Sequence, residues 1–360
     1  MATKHEEPDQ AQSGAEMPDE LHPRHIAIRL VEIAAIIALV AIAVSALPGL
    51  DQVRDRLGDV GAGWLALLVA AEIASCAGYL LVFRSTFCPQ MPWGLSYDIS
   101  MAELAANSLL PTGGAGGLAL GVWALRQAGM ATAHIARRTV AFFLITSAPN
   151  FVGVVLVGLG MFSGLLPGQA PAVLTLGPAL IAGGVIVVAW PSPQMLRAIG
   201  QRPADHERRG RIARVRNGLR DALQATADGV DLAKVLIRSG RFGVVVGSFA
   251  YMAFDIAALG FAFAAVGHVP AFGPLVLGYL IGQLGNLVPL PGGVGGTEGG
   301  LIGVFALYGV SVPDAAAAVL IYRLFQLAIP ALLGAPAFVL LRRKLARGQQ
   351  HAQMCAPLAA

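Results

Sequence analysis

The sequence predicts an all-α polytopic membrane protein, with about six full transmembrane helices plus two re-entrant hairpins in an inverted repeat. Three observations lead there: the bulk composition, two apolar stretches broken by glycine, and the placement of arginine and lysine. Of 360 residues, 56% are hydrophobic and 13% charged, and the mean hydropathy is +0.67. Soluble domains carry roughly 25% charged residues, so lipid is the expected solvent for this chain. A pI of 9.2 and a net charge of +4 raise the possibility of nucleic acid. The basic residues sit in loops between apolar spans, however, which is the membrane pattern, and we expect no nucleic-acid partner.

Residues 1–23 are polar and acid-rich (Glu6, Glu7, Asp9, Glu16, Asp19, Glu20) and read as a disordered cytoplasmic tail. Apolar runs long enough to cross, about 20 residues, occur near 26–47, 62–83, 139–164, 171–190, 242–266 and 314–341. The first is expected to be retained as a helix rather than cleaved as a leader. Two further apolar stretches, 94–128 and 273–309, are interrupted by glycine, and their arms are too short to cross singly. If each enters and leaves on one side and the N-terminus is cytoplasmic, 22 of the 25 basic residues face the cytoplasm. These include eleven between Arg197 and Arg241 and the group Arg342, Arg343, Lys344 and Arg347. A single crossing by 94–128 would turn the basic 191–241 linker outward, against the positive-inside rule. The expected domain therefore spans 24–345 in the cell membrane, followed by a cytoplasmic tail at 346–360, with both termini cytoplasmic.

The broken stretches resemble each other. Asn107-Ser-Leu-Leu-Pro111-Thr-Gly113-Gly114-Ala-Gly116-Gly117 lies 179 residues before Asn286-Leu-Val-Pro289-Leu-Pro291-Gly292-Gly293-Val-Gly295-Gly296. At that offset the asparagine and four glycines coincide, and the flanking spans superpose as well. Two halves follow, about 62–164 and 242–341, each a helix, a hairpin and a helix, threaded in opposite senses. A reversal inside the bilayer needs the backbone freedom of glycine, and Pro111, Pro289 and Pro291 end the descending arms. Returning arms are expected to begin near Leu118 and Thr297. Their first N–H groups would then offer partial positive charge at mid-depth, a seat for an anion such as phosphate. The plainer reading is that the glycines only let helices approach closely.

Pro289-Leu-Pro291-Gly292-Gly293-Val-Gly295-Gly-Thr-Glu298, together with Gly309 and Arg323, resembles the flippase-like transmembrane domain of lysylphosphatidylglycerol synthases and their stand-alone relatives. The layout agrees over most of 25–345, and the distinctive motif lies within about 286–334. The resemblance implies translocation of a phospholipid or lipid-linked molecule, with membrane lipids as partners. The chain ends soon after its last span, so we expect no soluble synthase domain and do not carry over lipid aminoacylation. The first hairpin has Gly117-Leu118-Ala119 where the family usually places an acid, so lipid specificity is not carried over either.

Ionisable groups at the bilayer centre cost about 2.5–3.5 kcal/mol on insertion scales, so each needs a reason. Glu298 falls on the first turn of the second returning arm, and Arg323 lies well inside the last span. We expect them to share a polar cavity, where Arg323 holds a lipid phosphate and Glu298 pairs with Arg323 or with a cationic headgroup group. A structural ion pair is the alternative. Gly113, Gly114, Gly116, Gly292, Gly293 and Gly295 line the same candidate site, and Asn107 and Asn286 cap or bridge the hairpin backbones. Glu72 and Asp255 either line the pathway and carry protons or are hydrogen-bonded core acids. Asp98, Glu103 and Arg126 are expected near water at the cytoplasmic mouth. The 191–241 linker carries a helical apolar stripe (Ile212, Val215, Leu219, Leu223, Thr226, Val230) flanked by arginines, which suits a basic helix on the inner leaflet and equally a solvated linker helix.

Lysine never follows a glycine loop here, which excludes a P-loop, and the glycine tracts follow no strand, which excludes the dinucleotide fingerprint. Cys76, Cys88 and Cys355 and the seven histidines show no metal-ligand spacing. We therefore expect no metal, no cofactor and no enzymatic activity. Two other functions fit the same features: a secondary transporter of a small anionic solute, and a membrane subunit of a lipid-modifying or glycan-lipid enzyme. An enzyme partner or homo-oligomer is left open.

Overall fold

Helix α1 (Ala62–Phe87) opens the part of the chain that the computed structural model describes, namely residues 61–109, 115–168, 170–189, 211–287 and 295–346. The expected span 26–47, both tails and the two hairpin tips lie outside these residues. After α1 come α2 (Trp93–Leu109), α3 (Ala115–Gln127), α4 (Thr132–Phe162) and α5 (Ala172–Ala189). The second part holds α6 (Arg211–Arg238), α7 (Phe242–Ala265), α8 (Phe272–Gly282) with a 3-10 turn at Gln283–Leu287, α9 (Gly296–Leu307) and α10 (Val312–Ala346). No strand occurs among the described residues.

Four helices, α1, α4, α7 and α10, are long and apolar enough to cross a membrane, and α5, α8 and α9 are shorter apolar helices. At 1.5 Å per residue, α8 and α9 rise only about 17–18 Å against a hydrocarbon core of about 30 Å. Large apolar side chains such as Phe143, Leu156, Leu180, Val187 and Leu332 are exposed on the outer faces, as a lipid-solvated protein requires.

The repeat extends to every element of the two halves. Shifted by 179 residues, the offset from Asn107 to Asn286, helices α1, α2, α3 and α4 start within two residues of α7, α8, α9 and α10. Packing repeats too. α1 lies along α7, while α2 packs on α10 and, correspondingly, α8 on α4. Helices α2 and α8 are thus each held by the last helix of the other half.

The direction of the repeat can be read from α1 and α7. Trp64 stacks on Phe261, Ser75 donates to the Tyr251 carbonyl at 3.0 Å, Gly78 meets Gly247, and Ser85 meets Gly243. Partner numbers fall as α1 advances, so these two equivalent helices are antiparallel. A Cβ on Gly78 would come within 2.6 Å of the Tyr251 nitrogen, and one on Gly247 within 2.6 Å of the Val82 nitrogen. Glycine is needed there because backbone faces backbone. A residue of α1 faces its own repeat equivalent near 73–74 and 252–253, close to the middle of each helix. The pseudo-two-fold axis therefore passes through the helix centres.

Three expectations change. α4 begins at Thr132 rather than near 139, so Arg137 and Arg138 are helical and not in a loop. Asp98 and Glu103 are buried rather than wet, because α2 lies along α10 and its acids face protein; Lys344 of α10 pairs with Asp98. The basic linker helix exists as α6, but its C-terminal half is docked on α4, where a Cβ on Gly229 would meet Val140. Its Ala227, Val230, Ala233 and Leu236 are buried in that contact, whereas Val235 and Ile237 stay exposed.

Candidate functional site

Gly295 precedes the first turn of α9 with φ +98°, a left-handed conformation that glycine adopts without strain. Three residues on, Glu298 reaches back, and its Oε2 accepts the Gly295 N–H at 2.7 Å. This is the carboxylate half of a capping box. The other oxygen, Oε1, accepts Arg323 Nε from α10 at 2.8 Å. One side chain therefore caps α9 and fixes the arginine, and the predicted pairing of Glu298 with Arg323 is present.

From Arg323 a hydrogen-bonded chain runs inward. Arg323 Nη1 donates to Gln326 Oε1 at 2.5 Å. Gln326 Nε2 in turn donates to the Tyr322 hydroxyl and to Asp255 of α7. Asp255 also accepts the Tyr279 hydroxyl at 2.5 Å and the Tyr322 hydroxyl at 2.8 Å, while Gln283 Nε2 donates to Tyr322 at 3.3 Å. Residues from α7, α8, the 3-10 turn, α9 and α10 thus form one network. Buried polar groups in hydrocarbon must be satisfied in this way.

Glu72 of α1 stands beside Asp255, with its Oε1 buried and without a hydrogen-bond partner. The two acids are not repeat equivalents. They meet because they sit on either side of the axis between antiparallel helices. Asp255 lies near the centre of α7, so the network, Arg323 and the N-terminus of α9 all sit at mid-depth of the bundle.

The first half carries a smaller tyrosine–acid contact of its own. Tyr79 of α1 lies beside Glu103 of α2, and Tyr79 packs edge-on against Tyr251 at 5.3 Å. Tyr79 and Glu103 are 24 residues apart, as are Asp255 and Tyr279. The two pairs are not repeat equivalents, because the 179-residue offset sets Cys76 against Asp255 and Ser100 against Tyr279. Glu103 Oε2 is buried with no partner.

The predicted site residues divide clearly. Arg323, Glu298, Gly295 and Asp255 come together, with Glu72 adjoining. Asn107 bridges the first hairpin, since its Oδ1 accepts the Gly117 N–H at 3.0 Å, and Gly116 lies in the first turn of α3. Asn286 falls in the 3-10 turn. Gly113, Gly114, Gly292 and Gly293 lie outside the described residues. Helices α3 and α9 begin at Ala115 and Gly296, within three residues of the expected Leu118 and Thr297, but the N–H groups of Gly117 and Gly295 are taken by Asn107 and Glu298. Protein side chains thus occupy part of the predicted anion seat, and Arg323 is the stronger anion-binding group.

Tyr279, Tyr322, Gln283 and Gln326 were missed from the sequence. Their signal is the spacing of Tyr322, Arg323 and Gln326, polar tips within an otherwise apolar helix that fall on one side of it. Arg323 and Glu298 side chains keep 10% and 13% exposure, so a ligand can reach the pair. A guanidinium has five N–H donors, and the two bonds above leave others available.

Residues 26–334 match the family described as the lysylphosphatidylglycerol synthase TM region, and the chain belongs to that family. A UPF0104 membrane protein of Methanothermobacter thermautotrophicus is 39% identical over 83 residues, which are 23% of this chain. The chain spans about a quarter of that relative's length, 24%.

Proposed function

We propose that this multi-pass member of a lipid-related family moves a phosphate-bearing lipid across the cell membrane without performing chemistry on it. In this reading 94–128 and 273–309 are re-entrant hairpins entering from opposite faces, six spans including 26–47 cross fully, and both termini are cytoplasmic. The observation that carries it is the arginine at mid-depth. Arg323 is pre-positioned by Glu298 and Gln326 at the broken end of α9, where its remaining N–H groups can bind a phosphate bidentately. The incoming phosphate competes with the Glu298 carboxylate for the same cation. Exchange of one anion for the other lets the headgroup dwell without being trapped. The antiparallel repeat supports this reading, since an inverted pair of halves presents one central site to either face in turn. Glu72, Asp255 and the tyrosines line the polar side of the pathway.

The test is translocation of fluorescent phosphatidylglycerol by the full chain in liposomes, read by dithionite quenching of the outer leaflet. Wild type is expected to render the inner-leaflet label accessible, and Arg323→Ala to slow this at least about tenfold, the loss of roughly 1.4 kcal/mol of binding or barrier lowering. Wild-type rates in the variant would remove Arg323 from the site.

A further inference from the structure

A second cluster of polar groups lies at the basic end of the bundle, separate from the Arg323 network. The N-terminus of α4 starts after Ala131, which provides no side-chain cap, so its first N–H groups lack intrahelical partners. On the same face of that helix, at i, i+3 and i+4, stand His134, Arg137 and Arg138. His134 is 8% exposed, and its Nε2 has no hydrogen-bond partner. The Nε atoms of Arg137 and Arg138 are likewise buried and unpartnered. Across from them, at the end of α1, Thr86 is fully buried with its hydroxyl oxygen unpartnered, while its carbonyl accepts Arg138 Nη1. The charges acting most on Arg138 are Arg137 and Arg241, both of its own sign.

Like charges gathered around orphaned donors are unfavourable without a counter-ion. The group that would satisfy them is an anion with several acceptor oxygens. We propose that this corner, formed by the start of α4, the end of α1 and the start of α7, is a phosphate-binding site. Arg138 and His134 hold the phosphate oxygens, the α4 N-terminus adds its dipole, Thr86 donates its hydroxyl, and Arg241 closes the exposed side. The fourteen residues of α7 between Arg241 and Asp255 separate it from the central network by about 21 Å. It is therefore a distinct site, and it stands whether or not the central site moves lipid. Its ligand is a phosphate ester or free phosphate, the first supplied by a phospholipid headgroup in the adjoining leaflet and the second by solution.

The experiment titrates the purified full chain in neutral detergent, at constant ionic strength, with inorganic phosphate, dihexanoyl phosphatidic acid and dihexanoyl phosphatidylcholine, reading Kd by calorimetry. Saturable binding of phosphatidic acid alone would identify a headgroup site, and equal binding of inorganic phosphate a soluble-anion site. Arg138→Gln is expected to weaken either at least tenfold. Arg241→Gln, at an exposed position, is expected to weaken it several-fold and decides the matter if the first variant fails to fold. Absence of binding by all three probes, or a Kd that neither substitution changes, overturns the proposal.

Discussion

Replacing Glu298 with glutamine keeps the shape of the side chain but removes its charge, which isolates the Glu298–Arg323 interaction. The carboxylate accepts two hydrogen bonds, from Gly295 N–H at 2.7 Å and Arg323 Nε at 2.8 Å. Hydrogen bonds to charged groups contribute about 1.5–3 kcal/mol in water-soluble proteins, whereas interhelical bonds in a membrane average nearer 0.6 kcal/mol and reach about 1.7 kcal/mol. With side chains only 10% and 13% exposed, screening by solvent is small, so the upper part of the membrane range applies. We expect Glu298→Gln to destabilise by about 2 kcal/mol and Arg323→Gln by about 2–3 kcal/mol, since the latter also loses Gln326. The double variant should fall short of the sum by about 1.5 kcal/mol, because each single change leaves a buried charge alone. Steric-trap unfolding in bicelles measures all four states. Additivity within about 0.5 kcal/mol would mean the two side chains are not coupled, and the assignment of Glu298 as the group a phosphate displaces would fail with it.

Two further outcomes follow from the geometry. Asp255→Asn places an amide N–H₂ against hydroxyls and an amide that donate to the carboxylate, and is expected to cost about 1–3 kcal/mol; Tyr279→Phe, which removes one donor, should cost about 1 kcal/mol or less. Equal stability of both variants with wild type, by thermal unfolding in detergent, would show that Asp255 is not the common acceptor. The antiparallel contact of α1 and α7 is tested by Ser85→Cys with Gly243→Cys after Cys76, Cys88 and Cys355 are changed to serine. A Cβ on Gly243 stands 3.2 Å from that of Ser85, a few tenths of an ångström short of the usual disulfide separation of about 3.5–4.5 Å, so mild oxidation should join them after a small shift. Ser85→Cys with Phe261→Cys, at the far end of α7, should not join.

Periodicity and glycine placement carried most of the fold. The spans at 62–83, 171–190, 242–266 and 314–341 agree with α1, α5, α7 and α10 to within a few residues, because an apolar run in lipid has only the helix as a way to satisfy its backbone. The start of α4 was missed for a physical reason. The apolar run begins near 139, after Arg137 and Arg138, yet a helix can run past the apolar region and keep arginines at its polar end. Burial of Asp98 and Glu103 was equally hidden, since it depends on α2 resting against α10, a contact between segments far apart in sequence.

The site was half legible for the same reason. Glu298 and Arg323 stood out because a charge in an apolar span needs a partner, and only a few candidates existed. The acids Glu72 and Asp255 did not appear related, because the repeat pairs Glu72 with Tyr251 and Asp255 with Cys76. A repeat offset reports which residues are equivalent, whereas contact across an antiparallel axis brings together residues displaced in opposite directions from the centre. Near the axis the two relations converge, and there Glu72, Tyr251, Cys76 and Asp255 become neighbours. An inverted repeat thus gathers non-equivalent residues at one point, so duplicated halves can diverge into a single asymmetric site. The asymmetry is visible in Cys76, Ser100 and Leu144, which stand where the second half has Asp255, Tyr279 and Arg323. A device that must bind one headgroup from either face needs one such site rather than two copies of it, and the centre of the bundle is where a two-fold pair of halves can build it.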